Sequence, residues 1–257
     1  MALKEEQMSE IKHVIITSLR NKFQNYKPES DHKPFHFRLL GRDRLALYSF
    51  IHSLSTAFGN TIFEPVAVAL AKNRFKKVQS QYSVGNTIFD ECQQSIQKII
   101  NKLSLGNNPD KKKEIETIRN SLKGNLNSLR TIKVDLFVED EYGEQFLFDL
   151  KTVKPNISNF KDFKRTLLEW IGITLTEDSS VQINTFIALP YNPYEPAPYQ
   201  RWTMKGMLDL DNELKVANEF WDFIGGEGAY EDLLVCFEQA GIEIRDEIDE
   251  YFNKFNI

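Results

Sequence analysis

The sequence predicts an α/β fold with helical N- and C-terminal parts, and three observations carry that reading. Two short stretches, Ile132–Val138 and Phe146–Lys151, read as the strands of one β-hairpin around the polar turn Glu139–Glu144. A helical pattern follows, with Phe160, Phe163, Leu167, Leu168 and Ile171 on its apolar face and Ser158 or Asn159 as its cap. Val181–Leu189 then alternates like a central strand, so the helix between is a crossover that returns the chain to the sheet.

The remaining elements follow from spacing and turn chemistry. Ile11, Val14, Ile15, Ile16, Leu19 and Phe23 mark an amphipathic helix. Tyr26–Arg38, with Pro28 and Pro34, reads as a loop that also holds His32 and His36. Leu45–Leu54 resumes helical spacing. Two near-identical hexapeptides come next, Gly59–Glu64 and Gly85–Asp90. Each predicts a turn and helix start, with an acid three residues after the Thr as in a capping box. Lys72–Lys77 reads as a solvated basic helix face, and residues 91–129 as helices broken at Gly106–Pro109. Tyr191–Trp202 holds three prolines and three tyrosines, which predicts a rigid aromatic loop able to reach a nucleic-acid groove or to pack on the core. Helices over 212–224, 229–240 and 243–254 close the chain, with Gly225-Gly226 and Gly241 as stops.

Composition narrows the class. A hydrophobic fraction of 41% and a charged fraction of 27% suit a soluble globular protein of 257 residues, read here as a single domain. No apolar run approaches the ~20 residues that span a bilayer, and the first residues lack a signal-peptide core. Cys92 and Cys236, far apart, fit buried thiols of a cytoplasmic protein better than a disulfide. The four histidines give no zinc spacing. The net charge of −5 is unevenly distributed: residues 207–257 carry 14 acidic and 3 basic groups, leaving the rest at +6. Lys151, Lys154, Lys161, Lys164 and Arg165 concentrate positive charge just after the hairpin. Phosphate binding follows the local field, so overall acidity does not exclude a nucleic acid partner.

The hairpin carries the chemistry. Positions 135 and 149 are symmetric about Tyr142, so an antiparallel pair folded there sets Asp135 opposite Asp149 with Cβ atoms roughly 5 Å apart. Lys151 lies two residues on and shares their face, while Val134, Leu136, Val138, Phe146, Phe148 and Leu150 form the apolar reverse. Facing carboxylates repel unless a cation sits between them. Oxygen ligands favour magnesium or manganese over zinc. A neighbouring lysine can orient water or stabilise charge on a phosphate, which is the chemistry of metal-dependent phosphodiester hydrolysis. The competing reading is a surface hairpin with a solvated Asp149–Lys151 ion pair.

Val134-Asp135 followed by Asp149-Leu150-Lys151 resembles the PD-(D/E)XK nuclease signature, with Val134 where the family usually has proline. The longer runs Asp149–Asn156, Tyr191–Trp202 and Glu219–Gly226 resemble type II restriction endonucleases of the TdeIII type. The resemblance implies a restriction-endonuclease-like core, a mixed sheet flanked by helices, over residues 59–190. A helical extension over 1–58 and a loop and helical region over 191–257 complete the domain. It implies catalytic Asp135, Asp149 and Lys151, with Mg2+ (or Mn2+ in its place) held by Asp135, Asp149 and the Leu150 carbonyl. Glu64 would be a further ligand from a preceding helix, as many members of the superfamily have, or else a capping carboxylate. It implies double-stranded DNA as substrate, a homodimer suited to palindromic sites, and a cognate DNA methyltransferase. Lys154, Asn156, Asn192, Gln200 and Arg201 are the candidate DNA contacts, Asn, Gln and Arg offering the paired hydrogen bonds that bases require. A repair or recombination nuclease of the same fold, or an inert binding module, are the alternatives.

Overall fold

The computed structural model describes residues 3–26, 33–130, 133–151, 159–200, 204 and 206–253. The strands are β1 (Lys77–Ser83), β2 (Thr87–Phe89), β3 (Leu126–Ser128), β4 (Lys133–Glu139), β5 (Gln145–Leu150), β6 (Ile183–Leu189) and β7 (Leu214–Val216). A five-stranded sheet runs in the order β1-β4-β5-β6-β7, and β2 pairs with β3 apart from it. β1–β4 and β4–β5 are antiparallel, whereas β5–β6 and β6–β7 are parallel. The mixed sheet flanked by helices is therefore as the sequence predicts. The hairpin register also agrees: Leu136 opposes Phe148 and Val138 opposes Phe146.

The helices are α1 (Glu5–Asn25), α2 (Pro34–Leu40), α3 (Arg42–Ala57), α4 (Glu64–Ala71), α5 (Asp90–Ser104), α6 (Lys111–Arg119), α7 (Phe160–Glu177), α8 (Asn218–Gly225), α9 (Ala229–Glu243) and α10 (Arg245–Asn253). Helix α7 is the crossover between the parallel strands β5 and β6. Phe146, Phe148 and Phe186 turn one sheet face towards Phe220 and Phe223 of α8. Alternate strand residues point to opposite faces. Phe137 and Leu147, on the second face, are buried as well. Helix α4 packs against α1, α8, β1 and β4, which brings its first residue, Glu64, towards the central strands.

Several expectations need correction. Helix α2 starts at Pro34, so His36 belongs to a helix rather than a loop. Proline is tolerated at a first helical turn, where its missing N–H has no partner anyway. The two hexapeptides fold differently. Phe58–Phe63 continues α3 as a π-helical stretch, whereas Thr87–Phe89 is drawn into β2 by pairing with Leu126–Ser128. Neither supplies the expected capping box: Phe63 stands at the N-cap of α4 and Phe89 at that of α5, each without a side-chain capping bond. Lys72 follows the end of α4 and Lys77 opens β1, so the basic run is no helix face. Strand β3 interrupts the helices expected over 91–129. Leu214 and Val216 pair with β6 and are buried, so tertiary pairing overrides the helix expected from 212. Asn159 precedes α7 without a capping bond, and buried Ile173 and Leu175 extend that helix past Ile171. Cys92 and Cys236 are free and buried.

Candidate active site

The parallel edge of β5 against β6 fixes the site's floor: Leu150 pairs with Ala188, and the Lys151 N–H donates to the Ala188 carbonyl at 2.9 Å. The antiparallel edge against β4, continued one step beyond Leu136–Phe148, sets Asp135 against Asp149. The Leu150 N–H donates to Asp135 Oδ2 at 2.8 Å, tying the first carboxylate to the strand that bears the second. Lys151 Nζ pairs with Asp149 Oδ1 and lies 5.4 Å from the Phe163 ring centroid on α7. A buried or half-buried ammonium over a ring face gains electrostatic attraction that helps fix its direction. Asp135, Asp149 and Lys151 are thus brought together at one end of the central strands.

Glu64 joins them from α4 through a residue that sequence reasoning missed. Gln81 of β1 donates from Nε2 to Glu64 Oε2 at 2.8 Å and reaches Asp135 Oδ1 at 3.5 Å. Position 81 is not conspicuous in the sequence, since β1 itself went unrecognised. The partly buried positions of β1 are Val78, Ser80 and Tyr82, an alternation too polar to mark a strand in the sequence. Glu64 is 3% exposed, and its Oε1 is buried with no hydrogen-bond partner.

Charge at the site is poorly compensated. Burial pushes the Glu64 carboxyl up to about 7, the Gln81 hydrogen bond opposing and the Asp135 carboxylate adding to the rise. Burial likewise holds the Asp149 carboxyl well above the ordinary carboxylate range, Lys151 opposing and Asp135 adding. Among the described residues no group of three or more His, Cys, Asp or Glu side chains is arranged to hold a metal ion by itself. The donors nonetheless fit a hard cation: facing carboxylates, an unsatisfied buried carboxylate oxygen, and oxygen ligands throughout. Each native carboxyl keeps a proton that the unfolded chain releases in the ordinary carboxylate range. Without metal, the melting temperature should therefore fall as pH rises from the ordinary value of 4.5 towards about 7, and level off above it. Glu64→Gln should flatten that slope, and thermal melts across the range in a chelator will show whether it does.

The other candidates are placed differently. Lys154, Asn156 and Arg201 lie outside the described residues. Asn192 donates from Nδ2 to the Ala197 carbonyl at 2.8 Å and accepts from the Tyr194 N–H at 3.0 Å, so its amide shapes its own loop. Gln200 is exposed near the end of that loop. Leu150 contributes its N–H to Asp135 as described. Lys164 departs from the expected basic patch: it is fully buried. An apolar cleft of about 440 Å³ opens beside Leu150 and Lys151, lined by Phe58, Phe63, Tyr191, Trp221 and Phe237. The aromatic loop thus contributes Tyr191 to the site's border.

Comparison with known proteins places the chain in a family. The chain is 26% identical over 225 residues to the type II restriction enzyme HgiCII of Herpetosiphon aurantiacus, covering 86% of this chain and 81% of that enzyme. HgiEI of the same organism is 26% identical over 227 residues, covering 86% and 82%. The type II restriction enzyme MjaII of Methanocaldococcus jannaschii is 27% identical over 196 residues, 71% of this chain and 51% of that enzyme. The model of the type II restriction endonuclease HinfI matches residues 3–241. The chain belongs to the HinfI family of type II restriction endonucleases.

Proposed function

We propose that this endonuclease hydrolyses double-stranded DNA at one short sequence through a PD-(D/E)XK site, with Mg2+ held by Asp135, Asp149 and the Leu150 carbonyl, and Glu64 as a further ligand. The observation that carries the reading is Asp135 beside Asp149 and Lys151, next to a buried carboxylate oxygen that no hydrogen bond satisfies. When bound, the cation offsets the facing carboxylates and polarises the scissile phosphate. Asp149 and the Phe163 ring hold the Lys151 ammonium in place. From there Lys151 orients the attacking water and stabilises charge on the phosphate oxygens. As water adds to phosphorus, the P–O bond to the leaving sugar breaks, giving one phosphate and one hydroxyl terminus.

A homodimer belongs to this proposal, since a two-fold enzyme matches a palindromic site. Support comes from the outward apolar side chains of α2 and α3: Phe35 is 85% and Leu39 84% exposed, and Leu47, Tyr48 and Ile51 are also exposed. Large apolar side chains exposed on two neighbouring helices are suited to an interaction surface. No single helix among the described residues is long and apolar enough to cross a membrane. We place the enzyme in the cytoplasm, in a restriction–modification pair whose methyltransferase protects the host's own sites. The TdeIII-type likeness rests on the sequence runs 149–156, 191–202 and 219–226. The single-domain division at 58 and 190 likewise remains part of the proposal.

Plasmid incubated with Mg2+ should give discrete fragments with one terminal sequence. Ca2+ is larger and fits a carboxylate site while supporting hydrolysis poorly, so a gel shift in Ca2+ should show one preferred short duplex and no cutting. Random nicking, or equal affinity for every duplex, would point to a repair-type nuclease instead.

A further inference from the structure

Gln81 sits in the middle of β1, where its neighbours keep strict register with β4: Ser80 opposes Leu136 and Tyr82 opposes Val134. Gln81, at the position facing Asp135, has a φ of +52°. Among the described non-glycine residues, only Ala217 shares a positive φ. The left-handed region crowds Cβ against the backbone, so a strand offers glutamine no local reason to adopt it. The hydrogen bonds supply one. Nε2 donates to Glu64 Oε2 at 2.8 Å and approaches Asp135 Oδ1 at 3.5 Å, so one amide nitrogen spans carboxylates from α4 and β4. With Oε2 so engaged, Oε1 is the Glu64 oxygen left buried and unsatisfied. Strain held at such a point is more economically explained by function than by folding.

We infer that Gln81 is a positioning residue, which holds the Glu64 and Asp135 carboxylates in one shared orientation so that Glu64 Oε1 is presented to a divalent cation. This rests on the catalytic reading of Asp135 and Asp149. In that role Gln81 acts through its two carboxylate partners. A neutral amide suits that task, because a lysine there would compete with the cation and an acid would repel both neighbours.

The test uses Gln81→Gly, which accepts the backbone without a side chain, and Gln81→Asn, which tolerates a positive φ but is one methylene too short to span both partners. Mn2+ affinity is measured by calorimetry on the DNA-free protein, alongside the Mg2+ dependence of cleavage and the melting temperature. Both variants should lose about 10–100-fold in metal affinity, the usual effect of removing a partner that orients a ligand. Cleavage should recover at high Mg2+, and Gln81→Gly should melt no lower than the parent. Unchanged Mn2+ affinity in both variants overturns the inference, as does a lowered melting temperature with normal affinity, which would assign Gln81 to the fold. Failure of the parent protein to bind Mn2+ counts against it equally. Asp149→Ala run in parallel separates the two claims: if it still cuts, the catalytic reading itself falls, whereas an inactive Asp149→Ala beside unaffected Gln81 variants removes only the role of Gln81.

Discussion

Asp149→Asn and Lys151→Ala should each abolish detectable cleavage while the protein stays folded, with a rate loss of at least about a hundredfold, as for removal of a single group that stabilises transition-state charge. The two substitutions act on different parts of the same step. Asp149 is 7% exposed, and asparagine keeps its shape while removing the charge that attracts the cation. That charge is also costly to bury without metal, so Asp149→Asn should melt higher than the parent in chelator at pH 8, even though it is inactive. Lys151 pairs with the buried Asp149, so its loss leaves that carboxylate without its ammonium partner and should lower stability. Opposite stability effects with a common loss of activity are hard to obtain from a surface ion pair. Wild-type cutting by either variant, with a normal circular dichroism spectrum, would remove these residues from the mechanism.

The hairpin was legible because everything that specifies it is local. The turn lies between the strands, the apolar alternation sets which residues face inward, and symmetry about Tyr142 fixes the register. The crossover helix was legible for the same reason, its apolar face being contiguous. Glu64 was reached only through family resemblance, because its environment is assembled from α4, β1 and β4, which are distant in sequence. Strands β1, β3 and β7 escaped because two are three residues long and all owe their form to partners elsewhere in the chain. The hexapeptides make the point most directly. Gly-Asn-Thr-Ile-Phe becomes π-helical after α3 and extended beside β3, so identical local preference is decided by what lies alongside. Gln81 was invisible for a further reason: its value lies in a backbone angle and two hydrogen bonds, neither of which composition or periodicity encodes.

Lys164→Met should destabilise the molecule by about 3–5 kcal/mol, because it leaves buried carboxylates without their counter-charge. By sequence, Lys164 belongs to the basic cluster after the hairpin that is expected to meet phosphate. It is instead fully buried on α7, bonded to Glu114 and to both oxygens of Glu213 at 2.8 and 2.7 Å. Lys111 completes the group, donating to Thr185 Oγ1 at 2.6 Å, to the Thr185 carbonyl at 2.7 Å and to Glu213 Oε1 at 3.3 Å. Two lysines and two glutamates balance to zero charge, and they tie α6 and α7 to β6 and to the chain just before β7. Methionine fills most of the lysine's volume, so packing alone should cost little. The penalty comes from Glu114 and Glu213 sharing only Lys111 in a dry interior, where burial already pushes the Glu114 carboxyl upward. Lys164→Met combined with Glu114→Leu restores neutrality, leaving the Lys111–Glu213 pair intact, and should recover most of the lost stability in urea denaturation. A loss below about 1 kcal/mol in the single variant, the size expected of an exposed pair, would mean that these charges are solvated and not the buried brace they form here.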